Sequence, residues 1–298
     1  MKARDYSLFG LRVRSELTLP ELVPATGEER ADVLIRFGQA GAGEAEAGLH
    51  NVGDDLLYVA PDVGAYRIAG GKEIIVDPQP GTPERNVRLY LLGSAFGALL
   101  HQRGLLPLHA NAVEIDGRAV AIMGPSGEGK STLAAWFHDH GYRIVADDVC
   151  VVKFGADSRA YATTGLPRLR LWAETLEATG RDAAEFSRSY ESDVPWDKYD
   201  VPIARHHDGG SELELAALFV LERADKLAIE RLNGVAAAEA VFANTYRGAF
   251  VTAARQEQSH WSACVQLVQR TPVYRLARPR GLDLLDGQCR ELVDFLRG

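Results

Sequence analysis

Cysteine is scarce in this chain: Cys150, Cys264 and Cys289 are the only three in 298 residues, far apart and odd in number. That count excludes a disulfide framework, and the absence of any C-x-x-C pair excludes a thiolate metal site. No apolar run approaches the roughly 18 residues of a membrane-spanning helix, and the opening MKARDYSLFG lacks the apolar stretch of a signal peptide. A reducing cytoplasmic setting with no membrane partner is therefore expected. Positive charge is also short, since 33 Lys and Arg face 41 Asp and Glu for a net charge of −8. Without a basic field, nucleic acid is not an expected partner. No internal repeat is present. What remains is a 46% hydrophobic chain, longer than one typical domain and able to bury a large core.

Against these absences stands one dense motif, AIMGPSGEGKST at residues 121–132. It matches G-x-x-x-x-G-K-[ST], a loop whose main-chain amides wrap phosphates. The run 118–123 (RAVAIM) reads as a buried strand, and 131–140 has helical periodicity with Leu133, Trp136 and Phe137 on one side. The motif thus sits at a strand-to-helix turn, where the helix N-terminus adds partial positive charge. Gly124, Gly127 and Gly129 permit close backbone approach to phosphate oxygens. Pro125, Ser126, Glu128 and Thr132 complete the nucleotide-binding loop, Lys130 supplies the charge for the β- and γ-phosphates, and Ser131 is the expected Mg²⁺ ligand.

A second strand at 142–145 (YRIV) delivers Asp147 and Asp148. A strand ending in Asp near a phosphate loop is the usual source of the Mg²⁺ carboxylate. In an extended segment two neighbouring carboxylates point apart, so the pair is able to divide the work: Asp148 toward the metal, Asp147 toward an incoming hydroxyl. An ATPase orients water and a kinase orients a substrate hydroxyl; a DD pair by itself also fits a solvated turn. Upstream, His109 lies in the apolar run 105–114 (LLPLHANAVE), expected to pair beside the nucleotide strand.

Taken together, residues 108–152 (LHANAVEIDGRAVAIMGPSGEGKSTLAAWFHDHGYRIVADDVCVV) resemble the catalytic core of the HPr kinase/phosphorylase superfamily. Its pattern is a His in a short strand, a hairpin, the phosphate loop, GY or GH, a strand and DD. The resemblance implies a fold closer to the ATP-dependent phosphoenolpyruvate carboxykinases than to ordinary P-loop proteins. It makes Asp147 the base for a seryl hydroxyl, Asp148 a Mg²⁺ ligand and His109 a supporting group near the base. DYSLFGLRVRSELTLPEL, RNVRLYLLGSAFGALLHQRGLLPLHANAV, GLPRLRLW and LFVLER resemble a narrower branch, the HPr-kinase-like enzymes of lasso peptide clusters. Those phosphorylate the C-terminal Ser of a ribosomally made precursor peptide. Pro125 and Thr132 depart from the GDSGVGKSE-like loop of the classical enzymes, and the later glycine- and arginine-rich signature tied to dephosphorylation is missing. Phosphorylase activity is thus not implied.

The expected architecture is mixed α/β, with a small β-rich N-terminal domain over 1–84, a connecting helix over 85–103 and an HPr-kinase-like P-loop catalytic domain over 104–298. Short strands are expected at 6–13, 33–37, 56–59, 65–68 and 72–76, with a loop at 38–48. The amphipathic run 86–103 buries Leu89, Leu92, Phe96 and Leu99 or Leu100. Later elements are strands at 213–221 and 273–276 and helices at 235–244, 256–269 and 284–296. Arg168 and Arg170 share one strand face in TGLPRLRLW and suit either phosphate recognition or a structural ion pair. Lys198 fits a phosphate contact or a plain exposed lysine. Segment 178–208, with Trp196 and Tyr199, has the composition of a lid, and its His206-His207 pair lacks a third metal ligand.

The function expected from these residues is an ATP- and Mg²⁺-dependent serine kinase for a precursor peptide or small protein. A regulatory HPr-type kinase/phosphorylase and a non-kinase ATP-hydrolysing module are the alternatives. Related kinases are hexameric, and the sequence permits a homo-oligomer.

Overall fold

Alternating apolar residues separated by tight turns build the first sheet from residues 4–78. In this computed structural model, which describes residues 3–27, 29–192, 197–203 and 212–298, its eight strands run in the order Val23–Pro24, Arg4–Leu8, Leu11–Ser15, Val33–Phe37, Glu73–Pro78, Gly64–Ala69, Asp55–Ala60, Gly48–Val52. The single strand expected over 6–13 is a hairpin. Phe9 and Gly10 take φ of 53° and 67°, a two-residue left-handed turn that suits the sheet's twist, and Tyr6 pairs with Val13. Gly48–Val52 is an edge strand of half-exposed and exposed residues, which leaves no alternation to read.

Residues 84–102 form a continuous rod: helix Glu84–Tyr90, a π-helical turn Leu91–Ala95 and helix Phe96–Gln102. The expected single buried stripe is corrected to burial on nearly all sides. Val87, Leu91, Leu92, Ala95, Phe96, Ala98, Leu99 and Leu100 are at most 3% exposed, while Leu89 is half-buried. The rod is enclosed because Tyr66 and Ile68 of the first sheet pack on it together with Val149, Val151, Tyr246 and Phe250 from the rest of the chain.

A nine-stranded sheet carries the phosphate loop. Arg118–Met123, Glu212–Arg223 and Val273–Arg278 lie side by side and parallel, with Ala110–Ile115 antiparallel beside the first and Arg143–Ala146 antiparallel to that strand in turn. Period-2 alternation divides Arg118–Met123 cleanly: Val120 and Ile122 meet Leu133, Phe137 and Leu292 on one face, and Ala119, Ala121 and Met123 meet Ala237, Val241 and Leu267 on the other. Helices Lys130–Asp139 and Leu285–Arg297 thus cover one face, and Gly234–Ala243 and Glu257–Arg270 the opposite one. Burial on both faces is what a parallel sheet requires.

Arg168–Trp172, Lys198–Pro202 and Ser187–Arg188 make a third, three-stranded sheet. Within the polar segment 178–208, residues 198–203 are packed structure, since Tyr199, Val201 and Ile203 join Leu169 and Leu171 in the core, whereas 178–188 are exposed or half-buried. Trp196 and the His206-His207 pair lie outside the described residues. Among the described residues no helix is long and apolar enough to cross a membrane. The chain is a mixed α/β protein with several sheets.

Candidate active site

Strand Arg118–Met123 ends at Gly124, whose φ of 145° and place beside Leu221 leave little room for a side chain: a Cβ would lie 3.1 Å from Leu221 Cβ. Gly127 and Gly129 also take positive φ, and helix Lys130–Asp139 starts without a side-chain cap. An uncapped helix N-terminus beneath a glycine loop is a ready anion cradle. Lys130 is buried, and its ammonium donates to the carbonyls of Gly124 (2.6 Å) and Pro125 (3.0 Å). Burial lowers its pKa, against the pull of the Asp148 carboxylate.

The acidic pair is not in the extended conformation that its strand context predicts. Asp148 sits in the left-handed region at φ 67°, so the two side chains are divided by depth. Asp147 is buried, and each of its oxygens is taken: Oδ1 accepts from Asn111 Nδ2 at 2.8 Å, Oδ2 from the Arg170 amide at 2.7 Å. Burial first, and then the neighbouring Asp148 charge, push its pKa up to about 6. Asp148 is half-buried, 3.4 Å from His109 Nδ1 and 3.6 Å from an Arg170 guanidinium nitrogen. Burial raises its pKa, but Arg170, His109, Lys198 and Lys130 outweigh that and hold it below the usual carboxylate value.

His109 is not inside a strand. It stands at the break between Leu106–Leu108 and Ala110–Ile115, with its amide donating to Asn244 O at 2.7 Å. Nδ1 lies 3.1 Å from the Asp148 carbonyl oxygen. A carbonyl only accepts, so this contact assigns the ring proton to Nδ1 and leaves Nε2 as the acceptor. Burial lowers the ring's pKa and favours that neutral form.

Arg168, Arg170 and Lys198 come together in the three-stranded sheet, where Arg170 pairs with Asp200 and Trp172 with Lys198 in register. They part in function. Arg168 is buried against Asp200 at 2.9 Å, the structural ion pair, whereas Arg170 reaches both Asp200 (3.5 Å) and Asp148. Lys198 lies over the Trp172 ring, 5.4 Å from its centroid.

Two cavities meet here. One, of about 630 Å³, is lined by Gly127, Gly129, Lys130, Ser131 and Thr132 with Thr175 opposite. The other, of about 890 Å³, is lined by Gly124 and Pro125 and, across from them, Tyr90, Arg170, Tyr246 and Arg247. His109, Ser126, Asp148 and Lys198 line both, while Asp147 lines neither. Glu128 turns away to Arg280 at 2.7 Å.

Sequence reasoning misses four participants. Asn111, two positions past His109, and Asp200, two past Lys198, carry a faint signal; Tyr246 and Arg247 carry none, because only folding brings them to the site.

The donors present suit Mg²⁺ with a polyphosphate. Among the described residues no three His, Cys, Asp or Glu side chains form a metal site of their own. Ser131 and Asp148 instead line one cavity, a hydroxyl and an ionised carboxylate. Mg²⁺ is commonly held by one or two such groups and completes its shell from phosphate and water.

No family model and no curated protein matches the chain. Among solved structures, the HPr(Ser) kinase/phosphatase from Coxiella burnetii is similar at a TM-score of 0.35 and 16% identity, covering 64% of this chain and 99% of that one.

Proposed function

We propose that this chain is a Mg²⁺-dependent phosphotransferase that moves the γ-phosphoryl group of ATP to a Ser hydroxyl of a peptide or small protein. The observation that carries the reading is the meeting of two cavities at His109, Ser126, Asp148 and Lys198. In-line transfer sets attacking and leaving oxygens on opposite sides of the phosphoryl group, so it needs a donor and an acceptor chamber joined at one point. A chamber of about 890 Å³ has room for an acceptor much larger than water.

In this reading the loop amides and Lys130 spread the charge of the transferring group, and Ser131 and Asp148 are the residues that would hold Mg²⁺. The bound cation neutralises charge developing on the β- and γ-oxygens. His109, with Nδ1–H tied to Asp148, offers Nε2 to the acceptor hydroxyl. The base role implied for Asp147 by family resemblance passes to His109, since a base must reach the proton it takes. Asp147 becomes a positioning residue that ties Asn111 to the Arg170 strand. Lys198 and Arg170 supply positive charge at the junction.

The acceptor we favour is the C-terminal Ser of a ribosomally made precursor peptide of the lasso type. An extended chain suits the partly apolar chamber between Leu89, Tyr90, Leu221 and Tyr246. The test is intact-mass analysis after incubation with Mg²⁺-ATP and a precursor peptide ending in Ser, beside the same peptide ending in Ala. One added phosphate on the Ser peptide alone is expected. Phosphate on neither peptide, with ATP consumed at the same rate with and without them, sinks the peptide-kinase reading.

A further inference from the structure

The acceptor chamber is lined by three cations that are not equivalent. Arg170 is engaged with Asp148 and Asp200, and Lys198 stands at the junction because it lines both cavities. Arg247 lines the acceptor chamber and not the phosphate cavity, and no carboxylate of the described residues forms an ion pair with it. Its backbone is left-handed at φ 53°, although Gly248, which adopts such angles freely, is next in sequence and has a φ of −48°. The turn is tied on both sides. The Tyr246 amide donates to Pro107 O at 2.9 Å, the Tyr246 carbonyl accepts from His101 Nε2 at 2.9 Å, and the Phe250 amide donates to Arg247 O at 2.7 Å. Strained backbone held this firmly is the kind that functional sites retain. The guanidinium carbon lies 5.8 Å from the Tyr246 ring centroid and 5.9 Å from that of Phe250, so two aromatic rings fix where the charge sits.

A second polar group of the same chamber is unsatisfied. Ser94, in the π-helical turn Leu91–Ala95, lines the chamber and is 1% exposed, and its Oγ has no hydrogen-bond partner among the described residues. An unpaired guanidinium and an unsatisfied hydroxyl call for an occupant that brings hydrogen-bond acceptors. The spacing suits a single residue. The Tyr246 ring centroid is 6.2 Å from that of His109 and 5.8 Å from the Arg247 guanidinium carbon, so one ring separates the proposed base from the cation. A serine at the end of a chain carries its hydroxyl and its carboxylate on neighbouring carbons and presents both at once across such a gap. An internal serine offers a neutral amide there, with one acceptor oxygen where a carboxylate has two and a charge.

We infer that Arg247 is the residue that reads the acceptor: its guanidinium takes the free carboxylate beside the reacting hydroxyl, so that a terminal serine is selected over the same serine capped as an amide. This rests on the peptide-kinase reading above. The test is steady-state phosphotransfer from Mg²⁺-ATP, read by intact mass, to the precursor peptide ending in Ser, made with a free C-terminal carboxylate and as the C-terminal amide. Wild type is expected to prefer the free acid at least about tenfold in kcat/KM, the scale of one charge-assisted pair. Arg247→Gln is expected to bring the two peptides within about twofold of each other, and Arg247→Lys, which keeps the charge without the planar fork, to give a ratio between those values. Because each ratio is taken within one protein, a change in overall activity does not move it. If Arg247→Gln turns over neither peptide, Arg247→Lys decides by the same ratio. Equal use of acid and amide by wild type overturns the inference, and so does a wild-type ratio retained in a variant. Phosphate on neither peptide in wild type overturns the peptide-kinase reading itself and the carboxylate subsite with it.

Discussion

Replacing each aspartate of the pair by asparagine separates the two carboxylates by role. In Asp147→Asn, one of two accepted hydrogen bonds becomes a donor facing a donor. The strain is easily relieved, because Asn111 is free to turn its amide and forfeits only a long 3.5 Å contact from the Asp148 N–H. A net loss of about 1 kcal/mol and a kcat reduced within about tenfold are expected. Asp148→Asn removes the negative charge facing His109 at 3.4 Å and Arg170 at 3.6 Å, weakens the counter-charge that Lys130 and Lys198 share with Asp147, and deletes one of the two protein groups proposed for Mg²⁺. Its kcat is expected to fall about 10²–10³-fold, the cost of removing one preorganised charge-stabilising group. Single-turnover phosphotransfer read by intact mass, with ATP affinity measured separately, decides between them. If Asp147→Asn loses as much turnover as Asp148→Asn while still binding ATP, Asp147 handles the hydroxyl and the assignment to His109 is wrong.

Three further outcomes are expected. His109→Gln retains a hydrogen-bonding side chain but no imidazole base, and kcat should drop about 10²-fold with the KM for ATP little changed; equal turnover would remove His109 from the chemistry. Gly97→Ala sets a Cβ 2.9 Å from the Tyr246 ring and pushes that ring toward the acceptor chamber, so the KM for the peptide should rise more than that for ATP; the reverse ranking would show that Tyr246 does not shape the acceptor side. Burial first, then the His101 ring 5.6 Å away, holds the pKa of His260 down to about 4. A folded pKa below the unfolded value of about 6.5 makes its stabilisation complete above that pH and lost progressively as pH falls toward 4. His260→Gln, able to keep the 2.8 Å bond to Thr245 without titrating, should flatten the acid slope of Tm in that window; an unchanged slope would place the acid sensitivity elsewhere.

Much of the chain beyond residue 118 is legible in its sequence because its signals are local. Leu133, Trp136 and Phe137 repeat at helical spacing and are at most 7% exposed in the helix that begins at Lys130. The apolar runs that read as strands at 213–221 and 273–276 appear as Glu212–Arg223 and Val273–Arg278, each longer because pairing carries the backbone beyond the apolar residues. Where neighbours decide, the reading fails. The hairpin turn at Phe9 and Gly10 lies inside the apolar run LFGL with no polar residue to mark it, and the rod at 84–102 loses its single stripe because the first sheet and distant segments around Val149, Val151, Tyr246 and Phe250 both pack on it.

At the site the same division holds. Spacing alone determines the phosphate loop, since a strand, a turn with glycines at positive φ and a helix N-terminus are all built from contiguous residues. It also brings Asp147 and Asp148 to the end of strand Arg143–Ala146 in the same sheet. Which carboxylate faces the chamber is a tertiary matter: a left-handed backbone at Asp148, and hydrogen bonds from Asn111 and the Arg170 amide that hold Asp147 behind it. The partition of Arg168 into a buried ion pair and Arg170 into the site follows from Asp200, a residue on a different strand. The sequence by itself determined the glycine turn between a strand and a helix N-terminus, the geometry that suits phosphate, because that turn is built from contiguous residues. Only the tertiary structure decided what stands on either side of the turn, because the two walls come from residues that sequence separation keeps apart until the sheets close.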